Sequence, residues 1–367
     1  MTAVKSAAEL SEAETKQRDD LTGRLFGSFI GMLDLASVYL GDRLGLYAAL
    51  AEGGAATSMQ LARRAGVSER YAREWLEQQA VTGILTVDDA AAEPDARVYA
   101  LPRGHAVTLL DRDSTASATP MAFFLAPLGR LLPRLVEVFR TGEGIPWSEY
   151  GDDCWQGQGD FNRPYFRGGL ATELAKLPDL HAKLTAGARV ADVACGVGWS
   201  AIAIAQAYPK VTVDGFDLDE SAIAQATAYA KAEGVSDRVR FEVRDAAKAS
   251  GTYDLVTIFE ALHDMSAPVE VLRAIRAKLA TGGSLIVADE NVSDTFAAPG
   301  GDVERVMYGA SITVCLPNGL ADRPSAATGT VMRPATMRRY AMAAGFNDVE
   351  ELPLELGLLR FYRMRAT

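Results

Sequence analysis

Eleven residues, Val190-Ala191-Asp192-Val193-Ala194-Cys195-Gly196-Val197-Gly198-Trp199-Ser200, leave little choice of architecture. An apolar strand ends in an acid, passes through a turn of small residues and enters a helix near Trp199. Gly196 and Gly198 tolerate positive φ and let the backbone approach a ligand closely. Amides at the helix start are then free to bind it. The sequence that follows keeps the same rhythm, with candidate strands at Arg189–Ala194, Val211–Asp217, Val239–Arg244, Tyr253–Phe259 and Ser284–Asp289, each followed by a helical or capped segment. Apolar strands alternating with helices predict a parallel sheet covered on both faces, with ligands at the carboxyl ends of its strands.

The 367-residue chain is too long for one core, so two domains are expected. Residues 1–20 are polar and read as a flexible N-terminus. Residues 21–110 read as three helical stretches followed by the strands Ile84–Val87 and Arg97–Leu101, the order of a winged helix. Such a module can read DNA, but eight arginines and no lysine stand against ten carboxylates across residues 21–110. Arg70 and Arg73 also alternate with Glu69, Glu74 and Glu77, a solvated face rather than a phosphate footprint. A dimerising role is therefore expected for the winged helix. Residues 111–184 read as a helical linker rich in aromatic side chains that contributes to a substrate pocket, and residues 185–367 as the ligand-binding domain.

A net charge of -11 opposes nucleic-acid or anionic-membrane partners. Three scattered cysteines fit neither a disulfide framework nor a zinc site. The polar N-terminus lacks the apolar stretch of a signal peptide, and no uninterrupted apolar run reaches membrane-spanning length. A cytoplasmic protein with no membrane partner is expected.

The spacing Gly196-x-Gly198-x-x-Ala201, with Asp217 a strand later, also fits a dinucleotide site. Asp192 separates the alternatives, because a carboxylate ahead of the turn suits a ligand with an ammonium group and repels a pyrophosphate. Asp217 can accept both hydroxyls of a ribose. Asp245, ending the third strand, sits where an acceptor can meet an adenine amine. Any one strand-end acid also reads as a helix cap; three in succession favour a nucleoside site. Glu260-Ala261-Leu262-His263-Asp264 follows the fourth strand, and imidazole can take a proton near neutral pH. No His-x-x-His and no acid cluster at ligand spacing flanks His263, so no metal is expected.

With these motifs, Phe161-Asn162 and Ala280-Thr281-Gly282-Gly283, the chain from about Leu21 onward resembles the class I S-adenosylmethionine-dependent methyltransferases, in the small-molecule O-methyltransferase branch with an N-terminal winged helix. Ala194 departs from that pattern, standing where the loop's first glycine is usual. The resemblance implies a Rossmann-like doubly wound sheet preceded by an α-helical winged-helix domain, and a homodimer made through the N-terminal helices. It implies a cofactor site of S-adenosyl-L-methionine built on Asp192, Cys195, Gly196, Gly198, Trp199, Asp217, Leu218, Asp245, Ala246, Phe259, Glu260 and Phe161. His263 is the implied base, oriented by Glu260 or Asp264. Phe124, Trp147, Tyr165, Met307 and Tyr308 are candidates for the substrate pocket, since ligand sites favour aromatic walls. The acceptor is expected to be a hydroxyl or phenol oxygen of a small molecule. Carbon or nitrogen methylation, a non-catalytic ligand-sensing regulator and an NAD-dependent enzyme are the rival readings.

Overall fold

The computed structural model describes residues 10–365. They divide into two compact units: the described residues up to 111 with 116–125, and 112–115 with those from 126 onward.

The first unit begins with α1 (Glu12–Arg43). Ser11 and Glu14 form a reciprocal capping box, and Lys16 reaches Asp20 one turn on. Residues 12–20, expected to be flexible, are therefore helical, whereas residues 1–9 lie outside the described residues. α1 runs on through Gly41. A Cβ there would lie 2.5 Å from the Tyr47 ring and 2.6 Å from Trp75, so this glycine serves close approach rather than termination. By length and composition alone α1 is long and apolar enough to cross a membrane, although Arg24 and Asp34 break its apolar positions, so it contains no uninterrupted apolar run of that length. Within its unit α1 exposes Leu21, Leu25, Phe26, Phe29, Ile30, Met32 and Leu33.

After α1 come α2 (Leu46–Gly53), α3 (Ser58–Ala65) and α4 (Glu69–Val81), then the short antiparallel pair β1 (Thr86–Val87) and β2 (Tyr99–Ala100) and α5 (Arg103–Leu110). Their core holds Tyr47, Leu61, Trp75, Leu76 and Tyr99. Tyr47 meets Trp75 edge-on at 5.0 Å and donates its hydroxyl to Gln79.

The second unit holds α6 (Leu125–Thr141) from its second residue on, with α7 (Asp152–Tyr165), α8 (Ala171–Ala175) and α9 (Pro178–Ala186) ahead of the sheet. Its strands are β3 (Arg189–Val193), β4 (Thr212–Asp217), β5 (Val239–Val243), β6 (Tyr253–Phe259), β7 (Leu279–Glu290), β8 (Glu350–Leu356) and β9 (Leu359–Arg365), in the order β5-β4-β3-β6-β7-β9-β8. The first five run parallel, as expected. β9 and β8 add an antiparallel edge that the sequence reading did not include. The helices α10 (Trp199–Ala207), α11 (Glu220–Ala232) and α12 (Pro268–Arg276) connect the parallel strands; α13 (Asp302–Ala310), α14 (Leu316–Gly319) and α15 (Pro334–Ala343) follow β7.

Strand periodicity divides the core between the two faces. Val190, Leu255 and Phe259 join one cluster; Ala191, Val193, Val256 and Ile258 join the other. From β3 the chain moves outward to β4 and β5, then returns to β6 on the opposite side. The strand order thus reverses beside β3, and such a switch point opens a crevice at the carboxyl edge of a parallel sheet.

Candidate active site

The loop after β3 reaches that crevice with Ala194, Gly196 and Gly198 all at positive φ: 55°, 51° and 83°. The two glycines serve different ends. A Cβ on Gly198 would lie 2.5 Å from the Phe241 ring, so this position allows β5 and the loop to pack. A Cβ on Gly196 would meet nothing within 4 Å, so Gly196 borders open space. Ala194 takes a left-handed conformation that costs an L-residue about 1–2 kcal/mol.

Two carboxylates hold the loop in place. Asp217, at the end of β4, accepts the Gly196 amide at 2.8 Å and the Asp219 amide at 3.0 Å. An ionised carboxylate has roughly four acceptor sites, so the side chain keeps capacity for further donors. Burial raises its pKa above the usual carboxylate value, against the backbone amides that lower it. Asp192 lies deeper, 1% exposed. Its oxygens take the Ser200 hydroxyl at 2.5 Å and the Thr257 hydroxyl at 2.7 Å. Burial lifts its pKa to about 6, with those hydroxyls pulling the other way. Asp192 therefore anchors the loop from beneath. Thr257, its neighbour across the β3–β6 ladder, and Ser200 are supports that the sequence reading did not single out.

Several residues expected at a cofactor are instead packed into the fold. The Trp199 ring is buried, stacked on Tyr229 at 4.5 Å beneath the Arg163 guanidinium, so only its backbone faces the loop. Phe259 stacks on Phe166 at 5.5 Å in the core, and Ala246 is buried on the other face. Asp245 caps its own turn through the Ala247 amide at 2.9 Å, with Lys248 3.2 Å away. Cys195 is buried under the loop, which pushes its thiol pKa well up. Leu218, beside Asp217, is 73% exposed.

Beyond β6 the chain turns sharply, with Glu260 at φ 51°. Its carboxylate accepts the side-chain amides of Gln158 at 2.5 Å and Asn162 at 2.9 Å, both from α7. Burial raises the Glu260 pKa, opposed by the Asn162 hydrogen bond. His263 follows in a short 3₁₀ turn, Leu262–Asp264, and is 2% exposed. Its Nδ1 lies 2.7 Å from Asp289 Oδ1 at the end of β7, and its Nε2 3.4 Å from Asp264 Oδ1. Asp289, which the sequence reading passed over in favour of Glu260 or Asp264, is thus the close partner of the imidazole. Burial alone would lower the pKa of His263; Asp289 and then Asp264 outweigh it and raise the value well above 6.5. Burial and the neighbouring Glu260 raise Glu290 well above the usual range as well. An acid cluster invisible in the linear spacing therefore surrounds His263.

Among the pocket candidates, Met307 is buried and Tyr308 is 39% exposed, edge-on to Phe296 at 6.4 Å. Trp147 lies 6.0 Å from Tyr150, and Tyr165 lies 6.2 Å from Phe161. Phe124 belongs to the first unit, in the turn Thr119–Phe124.

Residues 184–315 match a family described as a methyltransferase domain, and residues 33–112 one described as an Rv2258c-like winged HTH domain. The 27-O-demethylrifamycin SV methyltransferase of Amycolatopsis mediterranei is 35% identical over 126 residues, covering 34% of this chain and 46% of that protein. The methyltransferase GfsG of Streptomyces halstedii is 32% identical over 115 residues, 30% of this chain and 41% of that protein. This chain thus spans less than half the length of these curated relatives. Among solved structures, the mitomycin 7-O-methyltransferase MmcR superposes with a TM-score of 0.70 at 21% identity, covering 96% of this chain and all of that one. Human N-acetylserotonin methyltransferase, solved with its S-adenosylmethionine, gives 0.65 at 15% identity and 98% and 99% coverage. These likenesses show the fold: a winged-helix domain followed by a class I methyltransferase sheet.

Proposed function

We propose that this chain, which carries a methyltransferase domain behind a winged helix, transfers a methyl group from S-adenosyl-L-methionine to a hydroxyl or phenol oxygen of a small molecule. One observation carries the reading. At the switch point beside β3, an open-sided glycine loop fixed by Asp217 and the His263–Asp289 pair stand at the carboxyl edge of neighbouring parallel strands. The space in front of Gly196 and the spare acceptor capacity of Asp217 fit a ribose, and the buried charge of Asp192 favours the cationic amino-acid end of such a ligand. When bound, the sulfonium supplies an activated methyl. The neutral form of His263 takes the acceptor's proton at Nε2, and because Asp289 and Asp264 raise its pKa well above 6.5 methyl transfer is expected to rise with pH; Asp289 at Nδ1 fixes the ring and stabilises the imidazolium that forms. Asp264 and Glu260 set the field around it, with Glu260 held by Gln158 and Asn162.

The rifamycin and mitomycin relatives support a small-molecule oxygen acceptor by their names alone. α1 supports a homodimer: monomers rarely expose so continuous an apolar face, and a second copy of the helix would cover it. The balance of charge in the winged helix supports assembly rather than DNA reading, and a salt-sensitive, sequence-specific gel shift would overturn that part. Three free cysteines support a reducing, cytoplasmic location.

Calorimetry with adenosylmethionine tests the function. Asp217→Ala is expected to abolish binding, while His263→Ala keeps binding and lowers methyl transfer to a panel of phenols about 100-fold or more. Unchanged affinity in Asp217→Ala would defeat the proposal.

A further inference from the structure

We propose that His263, Asp264 and Cys315 together bind a thiophilic divalent cation, with Zn²⁺ the ion their chemistry fits best. A ring nitrogen of His263, a carboxylate oxygen of Asp264 and the Cys315 Sγ lie within 4.8 Å of one another. Imidazole nitrogen, carboxylate oxygen and thiolate sulfur are the donors zinc takes. Three protein donors leave its fourth tetrahedral position open.

Three independent features of the fold point the same way. Asp264 Oδ1 is buried and makes no hydrogen bond, its charged contact being His263 Nε2 at 3.4 Å. A buried acceptor held only by a long ion-pair contact is poorly satisfied, and a metal ion placed between the two would bring it closer partners. Asp289 holds Nδ1 at 2.7 Å, which leaves Nε2 as the donor and reproduces the carboxylate–histidine arrangement that orients metal-bound imidazoles. Cys315 reaches the cluster because Ser311–Cys315 forms a π-helical turn between α13 and α14, a distortion that costs regular hydrogen bonding and gathers at functional sites. α14 then packs on the Leu262–Asp264 turn, where a Cβ on Gly319 would sit 3.3 Å from the Asp264 carbonyl oxygen.

Zinc–ligand bonds near 2.0–2.3 Å require the donors to draw together by about 1 Å, a shift that side-chain rotation supplies. Binding releases the Nε2 proton of the imidazolium and the thiol proton of Cys315. The lone pair given to the metal is the one that proton transfer from an acceptor requires, so on the proposed function a loaded protein is inactive. The binding itself does not rest on that function.

Tag-free, full-length protein titrated with Co²⁺ as the spectroscopic substitute for Zn²⁺ tests the site. The wild type is expected to develop a thiolate-to-cobalt charge-transfer band at one equivalent, reversed by Zn²⁺. Cys154→Ser keeps the band. Cys315→Ser loses it with the circular dichroism spectrum unchanged, and Asp289→Asn weakens Co²⁺ binding about 10- to 100-fold. No band in the wild type, or a band that survives in Cys315→Ser, would overturn the proposal. Adenosylmethionine binding measured on the same samples separates failure of this site from failure of the cofactor site.

Discussion

Replacing Asp192 with asparagine tests whether a buried charge under the glycine loop governs the pH dependence of stability. The folded pKa of about 6 lies above the ordinary value of 3.8, so the folded state holds its proton more tightly than the unfolded chain. Folding is then favoured below about pH 4, loses stability as the pH rises from about 4 to about 6, and is flat above. A shift of roughly two units corresponds to about 3 kcal/mol between those limits. The side-chain amide of the Asp192→Asn variant does not titrate. Its carbonyl can keep the Thr257 hydroxyl and its NH₂ can donate to Ser200, so any change in hydrogen bonding offsets stability equally at every pH. Urea denaturation of both proteins between pH 4 and 8 gives the difference. The wild type is expected to lose about 3 kcal/mol relative to the variant across the window. Parallel curves would refute the buried-charge account of Asp192.

Three further outcomes follow from the same geometry. Ala194→Gly relieves the positive φ of 55° and is expected to stabilise the fold by about 0.5–1 kcal/mol in chemical denaturation; a loss of stability would contradict a strained loop. Gly198→Ala drives a Cβ into Phe241 and is expected to cost about 2 kcal/mol or more. Gly196→Ala, which points into open space, costs less stability yet abolishes adenosylmethionine binding in calorimetry; the reverse ranking would reassign the two glycines. Phe29→Glu on the exposed face of α1 is expected to halve the mass measured by light scattering, and an unchanged mass would remove α1 from the interface.

The sheet was legible because parallel strands buried on both faces leave continuous apolar runs, and because Gly196 and Gly198 mark a turn that other residues resist. The antiparallel edge was legible too, had its alternation been followed: Leu352, Leu354 and Leu356 face inward between exposed Glu351, Pro353 and Glu355. The start of α1 was hidden by polarity, although Ser11 and Glu14 form a capping box. Around His263 the limit was physical. Asp289 and Cys315 reach the imidazole from a strand and a π-helical turn that no local spacing connects, and Gln158 approaches Glu260 from α7. Conversely Trp199 and Phe259, at motif positions, turn their rings into the core, because a motif fixes the backbone path and leaves side-chain burial to the tertiary packing.

The open side of Gly196 and the carboxylate of Asp217 together form a nucleoside site. A crystal structure with S-adenosylhomocysteine tests it most directly. The ribose hydroxyls are expected on Asp217, the homocysteine tail against the loop above Asp192, and the sulfur facing the His263 side of the crevice; a nucleoside bound away from Gly196, or a ribose that leaves Asp217 untouched, would refute a nucleoside site there.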